Sequence, residues 1–312
     1  MLDALAVNVK RGHGRGVKIA AILIGILALG GCALGVAAGW SLLGLLNLAD
    51  RAAWGGDSHS VERNIAYGSL PRQRLNIWKP TGNSADAPVL VFFYGGSWNS
   101  GERDLYDFAG RAFASQGFVT VIPDYRLVPE VRFPAFVKDA AAAVAWTRAN
   151  IARHGGNPGS IAIAGHSAGA HIAAMVAFDR QWLAKTGAPD GTIRAFVGLS
   201  GPYDFLPFTS DASKAAFGHE PDPRVTQPIA FAHADAPPAL LLTGSVDTTV
   251  NPRNSRALAK RLETLAVPHE LKIYAGLDHT DPVKALARPF RGEAPILTDI
   301  AGFIRTHASP RP

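Results

Sequence analysis

The stretch Ile161-Ala-Ile-Ala-Gly-His-Ser-Ala-Gly-Ala170 decides how this chain is read. Small and β-branched residues run straight into Gly165-His166-Ser167-Ala168-Gly169, and an alanine-rich helical pattern follows through Ala177. A G-x-S-x-G motif between a strand and a helix is the context of a nucleophile elbow. The turn is tight, so a side chain at Gly165 or Gly169 would collide with the neighbouring strand or helix. The serine is expected to hold a strained backbone that lifts its hydroxyl clear of the sheet, at a helix N-terminus that favours developing negative charge. Without the flanking elements the motif would be a weak signal, because small residues cluster in many turns.

Upstream of the elbow the chain alternates strand and helix patterns. Arg74–Trp78 alternates polar and apolar residues, and Pro88-Val-Leu-Val-Phe-Phe93 is a continuous apolar run, as in a strand buried on both faces. Glu102–Gln116 reads as a helix, Phe118–Ile122 as a buried strand and Phe136–Ile151 as another helix. Downstream, Ile193–Leu199, Ala239–Thr243 and His269–Tyr274 read as strands, with helices at Asn251–Ala266 and Ala294–His307. This alternation implies an α/β domain with a mostly parallel, doubly wound sheet flanked by helices. The stretch Gly201–Pro238 is rich in Pro, Phe and His without clear periodicity, and reads as part of a lid or of an acyl-pocket wall, with a tolerated surface insertion as the alternative.

Chemistry-bearing residues fall in the loops that leave the strands. Asp247 follows Ala239–Thr243, and His279 follows His269–Tyr274, which places both on the rim where such sheets bind ligands. A serine hydroxyl is a poor nucleophile until a base takes its proton. Ser167, Asp247 and His279, in that chain order, supply a nucleophile, an orienting carboxylate and a base. Asp204 is the rival acid but precedes the long loop, while His269 and His233 are the rival bases. His166, His171, Asp278 and Asp281 are read as satisfying local turns. Tyr94-Gly95-Gly96-Ser97-Trp98 leaves another strand; read alone, its glycines either free backbone N–H groups to face a cavity, as an oxyanion hole requires, or make a plain turn anchored by the tryptophan. No His/Asp/Glu cluster has metal-ligand spacing, and no cofactor or metal is expected.

Composition narrows the remaining classes. Of the formal net charge of +6, half comes from residues 1–51, and no Lys/Arg stripe interleaved with aromatics occurs, so no nucleic-acid partner is expected. The single cysteine, Cys32, excludes a disulfide within the chain. Residues 1–18 are a basic segment carrying Lys10, Arg11, Arg15 and Lys18, and residues 19–48 contain no charge. That run is long enough for a membrane anchor or signal segment, and the basic flank directs the rest of the chain out of the cytoplasm. An uncleaved anchor, a lipoprotein processed at Leu29-Gly-Gly-Cys32 and an ordinary cleaved signal remain open. Residues 49–64 read as a linker and 65–308 as the catalytic domain.

Asp124-Tyr-Arg-Leu-Val-Pro-Glu130, Phe133-Pro-Ala135, Asp139, Asn157-Pro-Gly-Ser-Ile161 and Gly165-His-Ser-Ala-Gly169 occur in series. This set resembles the α/β-hydrolase esterases related to hormone-sensitive lipase, in the subgroup with an H-G-G-x-W-type oxyanion loop. The resemblance covers roughly residues 65–307 and implies an α/β-hydrolase fold there; the N-terminal membrane segment read from the uncharged run precedes it. It implies a serine carboxylesterase acting on a small-molecule ester of short-to-medium acyl chain, with the amides of Gly96, Ser97 and Ala168 as the oxyanion hole. The chain has Tyr94 where the family usually has histidine and Ser97 where many members have glycine; backbone N–H groups survive both changes. Amide hydrolysis, deacetylation of polysaccharide and a non-catalytic binding role stay open as alternatives.

Overall fold

The computed structural model describes residues 42–53, 60–82 and 85–308. Helix α1 (Leu42–Ala53) leads into strands β1 (Ser60–Ala66), β2 (Arg74–Lys79) and β3 (Ala87–Phe93). Helix α2 (Asp107–Ala114) joins β3 to β4 (Val119–Pro123), and α3 (Ala135–Asn150) joins β4 to β5 (Gly156–His166). Helices α4 (Ala168–Phe178) and α5 (Gln181–Ala184) precede β6 (Ile193–Leu199), and α6 (Asp211–Phe217) lies in the long stretch before β7 (Ala239–Gly244). Helix α7 (Arg253–Thr264), β8 (His269–Tyr274), α8 (Asp281–Lys284) and α9 (Ile296–His307) complete the chain.

The strands form one eight-stranded sheet in the order β1-β2-β4-β3-β5-β6-β7-β8. Pairings from β4 through β8 are parallel, and the β1–β2 and β2–β4 pairings are antiparallel. The chain steps from β3 outward to β4 and then returns past β3 to β5. Right-handed crossovers therefore put α2 and α3 on opposite faces. They also make β3 and β5 the switch point, where the loops at the two carboxyl ends diverge and leave a crevice. The continuous apolar runs follow from burial on both faces: Val89, Val91, Ile161, Ile163, Leu240 and Leu242 are fully buried. The stretch between β6 and β7 holds α6 and short 3₁₀ turns at Pro223–Thr226 and Pro228–Phe231. The expected helix over Glu102–Gln116 is a 3₁₀ turn at Arg103–Tyr106 running into the shorter α2.

The N-terminal boundary differs from the sequence expectation. Residues 42–48, assigned to the apolar membrane run, and 49–53, assigned to the linker, form α1, which packs on the domain through Leu43 and Leu46. Asp50 is fully buried and accepts hydrogen bonds from Arg111 Nε (2.6 Å) and from the amide of Arg288 (2.7 Å). Asn47 accepts a second Arg111 nitrogen at 2.6 Å and donates to the Asp104 carbonyl at 3.0 Å. Removing one partner of so buried an ion pair costs about 3–5 kcal/mol, so α1 is part of the domain. Hydropathy alone hides this, because the charge that ends the run is neutralised inside the protein. Strand β1 also starts within the expected linker, at Ser60. Residues 1–41, with the basic segment, most of the apolar run and Cys32, lie outside the described residues. Among the described residues no helix is long and apolar enough to cross a membrane.

Candidate active site

Ser167 sits at the turn between β5 and α4 with φ 54° and ψ −122°, a conformation that L-residues rarely adopt. Backbone crowding enforces the turn. A Cβ at Gly165 would lie 2.3 Å from the Gly169 carbonyl oxygen, and one at Gly169 would lie 2.2 Å from that of Phe93. The amide of Ser167 donates to Leu199 O at the end of β6 (2.9 Å), which pins the elbow to the neighbouring strand.

The structure brings Ser167, His279 and Asp247 together and leaves the rivals elsewhere. His279 Nδ1 lies 2.9 Å from Asp247 Oδ2, and His279 Nε2 lies 2.9 Å from Ser167 Oγ. An ionised carboxylate only accepts, so Nδ1 carries the ring proton and Nε2 is free to accept the serine hydroxyl. Burial would raise the Asp247 carboxyl, but hydrogen bonds from His279 and the Val250 amide outweigh it and hold the group below its usual range. The amides of Thr249 (3.0 Å) and Val250 (2.8 Å) fix Oδ1, so the carboxylate cannot swing away from the histidine. Asp204 instead offers its amide to Asn254 Oδ1, His269 contacts its own turn at Val267 O, and His233 faces Arg180. Asp278 and Asp281 do satisfy a local turn, around Thr280.

Two other histidines depart from the local-turn expectation. His166 Nε2 donates to the carbonyl of His279 across 113 residues (3.0 Å), so the elbow holds the backbone of the residue beside its serine. His171 bridges Trp98 and Thr226. Burial is the main cause that keeps both neutral, pushing His166 down to about 3 and His171 to about 4. Spacing along the chain could not reveal either role, because both partners come from distant loops.

The loop after β3 stands against the elbow: a Cβ at Gly95 would come within 3.1 Å of Ser167 Cβ. Gly96, Ser97 and Trp98 all have positive φ, at 136°, 51° and 60°. Among the described residues, the amides of Gly96, Ser97 and Ala168 have no hydrogen-bond acceptor. Tyr94, in place of the family's histidine, buttresses the loop from below. Its hydroxyl donates to Asp124 Oδ1 (2.8 Å) and accepts from Arg72 Nη2 (2.9 Å), and its ring stacks on Tyr125 at 4.7 Å. Tyr125 donates to the Tyr94 carbonyl (2.8 Å), and Arg103 closes an ion pair with Asp124. Asp139 clamps Arg126 through backbone and guanidinium (3.0, 2.8 and 2.9 Å). The motif residues Asp124, Tyr125 and Asp139 thus support the loop, a role for which the sequence carries no local signal.

Trp98 borders a cluster of aromatic rings from the stretch between β6 and β7. Phe205 stacks on it at 6.0 Å, Phe217 meets it edge-on at 4.8 Å, and Phe208 stacks on Phe217 at 5.6 Å. Among the described residues no group of His, Cys, Asp and Glu could hold a metal ion.

Known proteins share this architecture. The solved structure of a truncated carbohydrate esterase from gut microbiota superposes with a TM-score of 0.70 at 21% identity, over 81% of this chain and 98% of that one. Esterase B from Lactobacillus rhamnosis, bound to a tributyrin phosphonate, gives a TM-score of 0.69 at 20% identity over 93% and 96%. At these identities the likeness is one of fold, and that fold is the α/β-hydrolase fold. Among curated sequences, Esterase LipC of Mycobacterium tuberculosis is 34% identical over 227 residues, 65% of this chain and 55% of its own length. The isoprenylcysteine alpha-carbonyl methylesterase ICME of Arabidopsis thaliana is 29% identical over 256 residues, 75% and 60% of the two chains. The chain therefore spans little more than half the length of these relatives. The family model described as BD-FAE matches residues 75–262, most of the sheet with its elbow and the loop after β3, and the chain belongs to that family.

Proposed function

We propose that the chain is a serine carboxylesterase acting on small-molecule esters of short-to-medium acyl chain. The observation that carries this reading is the continuous hydrogen-bonded line from Ser167 Oγ through His279 to Asp247. Ser167 Oγ attacks the ester carbonyl while His279 Nε2 takes its proton, and Asp247 stabilises the imidazolium that forms. The amides of Gly96, Ser97 and Ala168 receive the developing oxyanion. His279 then protonates the departing alcohol, and a water activated by the same nitrogen releases the acid from Ser167. The relatives named as esterases support ester bonds as the substrate. Trp98, Phe205 and Phe208 support an apolar acyl side.

The test is hydrolysis of p-nitrophenyl esters of graded acyl length by the full chain, with Ser167→Ala beside it. Turnover lowered by about 10⁴-fold or more in the variant is expected. A folded chain that turns over none of the series, or a variant as active as the parent, overturns the reading.

Membrane attachment through the sequence before α1, with the domain outside the cytoplasm, is part of the same proposal. Residues 19–41 are uncharged and long enough to span a bilayer of about 30 Å, and Lys10, Arg11, Arg15 and Lys18 precede them. The full chain should stay with membranes through an alkaline carbonate wash, and release into the supernatant would refute attachment.

A further inference from the structure

The residues that offer Gly96 and Ser97 N–H groups to the serine are held in an unfavourable backbone. Gly96 tolerates its φ of 136°, but Ser97 and Trp98 at 51° and 60° carry a steric cost that persists only where the surroundings over-determine it. Backbone contacts supply part of the restraint. Asn99 N and Ser100 N both donate to Gly96 O at 3.0 Å, and Val128 N donates to Trp98 O at 2.9 Å. Among the described residues the indole of Trp98 makes one polar side-chain contact, its Nε1 lying 3.3 Å from His171 Nδ1. The other ring nitrogen, His171 Nε2, lies 2.8 Å from Thr226 O.

Donor and acceptor chemistry leaves one protonation state for this arrangement. An indole N–H only donates, and a carbonyl oxygen only accepts. His171 must therefore lack a proton at Nδ1 and carry one at Nε2. An imidazolium would set two N–H groups against each other at Trp98. The ring is fully buried and boxed edge-on by Trp98 (5.4 Å), Phe205 (5.6 Å) and Phe217 (5.1 Å), so it cannot turn to another partner.

We propose that His171 is a positioning residue for the oxyanion hole: as the neutral Nε2–H tautomer it ties the Trp98 indole to the Thr226 carbonyl. It thereby locks the Gly96–Trp98 loop to the 201–238 stretch. The proposal rests on the esterase reading for its kinetic consequence but not for its geometry. His171 does not touch the reacting atoms, and it acts by fixing where the Gly96 and Ser97 amides point. The wall of aromatic rings and the oxyanion donors are then one unit, since the same imidazole holds both.

The test compares His171→Phe, Trp98→Phe, the double variant and His171→Gln in the full chain. Phenylalanine keeps the ring volume and removes both hydrogen bonds, whereas glutamine can accept from the indole and donate to Thr226 O. With p-nitrophenyl butyrate, His171→Phe should lower kcat about tenfold with KM within about twofold, because the lost interaction belongs to the transition state. Butylboronic acid, a mimic of the tetrahedral intermediate, should lose affinity in the same proportion. His171→Gln should recover most of kcat, and the double variant should be no slower than His171→Phe alone, since the Trp98–His171 contact that Trp98→Phe removes is already lost in His171→Phe. A kcat for His171→Phe within twofold of the parent, no recovery with glutamine, or losses that multiply in the double variant would each overturn the proposal.

A second measurement stands apart from turnover. Nitrogen-15 spectra should show His171 protonated at Nε2 alone between about pH 5.5 and 8, where a free histidine titrates. The Trp98 indole N–H should exchange slowly in the parent and quickly in His171→Phe. The opposite tautomer, or equal exchange in the two proteins, sinks the lock even in a chain that hydrolyses no ester. Absent or Ser167-independent turnover in the parent overturns the esterase reading instead.

Discussion

The elbow at residues 165–169 and the loop at 94–101 pack against each other at the carboxyl ends of β3 and β5, yet they are held in place by different means. At the elbow the restraint is local backbone crowding: Gly165 against Gly169, and Gly169 against the end of β3. At the loop the restraint comes from side chains far along the chain, with Arg72, Asp124 and Tyr125 below and His171 behind Trp98. A strained conformation can thus be imposed either by leaving the chain no room or by hydrogen-bonding it from outside. The first leaves its mark in five consecutive residues, and the second is spread over a hundred.

The sharpest way to break the elbow is Gly169→Ala. The new Cβ would land 2.2 and 2.3 Å from the carbonyl oxygens of Phe93 and Tyr94, atoms that cannot step aside without moving β3. A stability loss of about 3 kcal/mol is expected in denaturant titrations. Displacing Ser167 by about 1 Å should cost a further 10²-fold in turnover of the folded enzyme. A fully active, equally stable variant would show that the elbow is not set by this contact.

Acid should loosen both regions, by way of one buried histidine in each. The folded-state values, about 3 for His166 and about 4 for His171, lie below the unfolded value near 6.5. Their neutral burial therefore stabilises fully above pH 6.5, and that stability is lost as pH falls towards the folded values. The slope per histidine is about 1.4 kcal/mol per pH unit. Chemical denaturation at pH 7, 6 and 5 should show the decline, with a shallower slope in His171→Phe by about one proton. An unchanged slope in that variant would mean that His171 takes up its proton in the folded protein.

Tyr94→Phe tests the support of the loop alone and should have the smallest effect. It removes one hydroxyl from the Arg72–Asp124 network while Arg103 still pairs with the carboxylate and the ring still stacks on Tyr125. A loss of about 1–2 kcal/mol, a few degrees in melting temperature, is expected with kcat lowered no more than about tenfold. A larger kcat loss than that of His171→Phe would place the main restraint below the loop rather than behind Trp98.

The same contrast explains what could be read from the chain. The parallel sheet was legible because β3, β5, β6 and β7 are short apolar runs bounded by Gly and Pro, and periodicity reports burial directly. The Ser167, Asp247 and His279 positions were legible because each follows a recognisable strand. The burial of Asp50 was not, since a charge at the end of an apolar run looks the same whether it meets water or Arg111. Nor were the partners of His166 and His171, which are set by loops that the strand order brings together. Tyr94 could be seen to replace a histidine, but only the fold shows what its hydroxyl reaches.

His279 meets Ser167 across 112 residues of chain, and its loop follows β8, the last strand in the sheet order. Parallel pairings of this range form slowly, because each must close a long stretch of chain before any contact rewards it. A refolding molecule with β3, β5 and β6 already joined would carry the elbow but no base for its hydroxyl. The hydrogen-bonded line from Ser167 through His279 to Asp247 thus cannot form until β7 and β8 have docked. On the proposed mechanism, incomplete chains would then be kept chemically quiet by topology, with the nucleophile switched on by the closing steps of assembly.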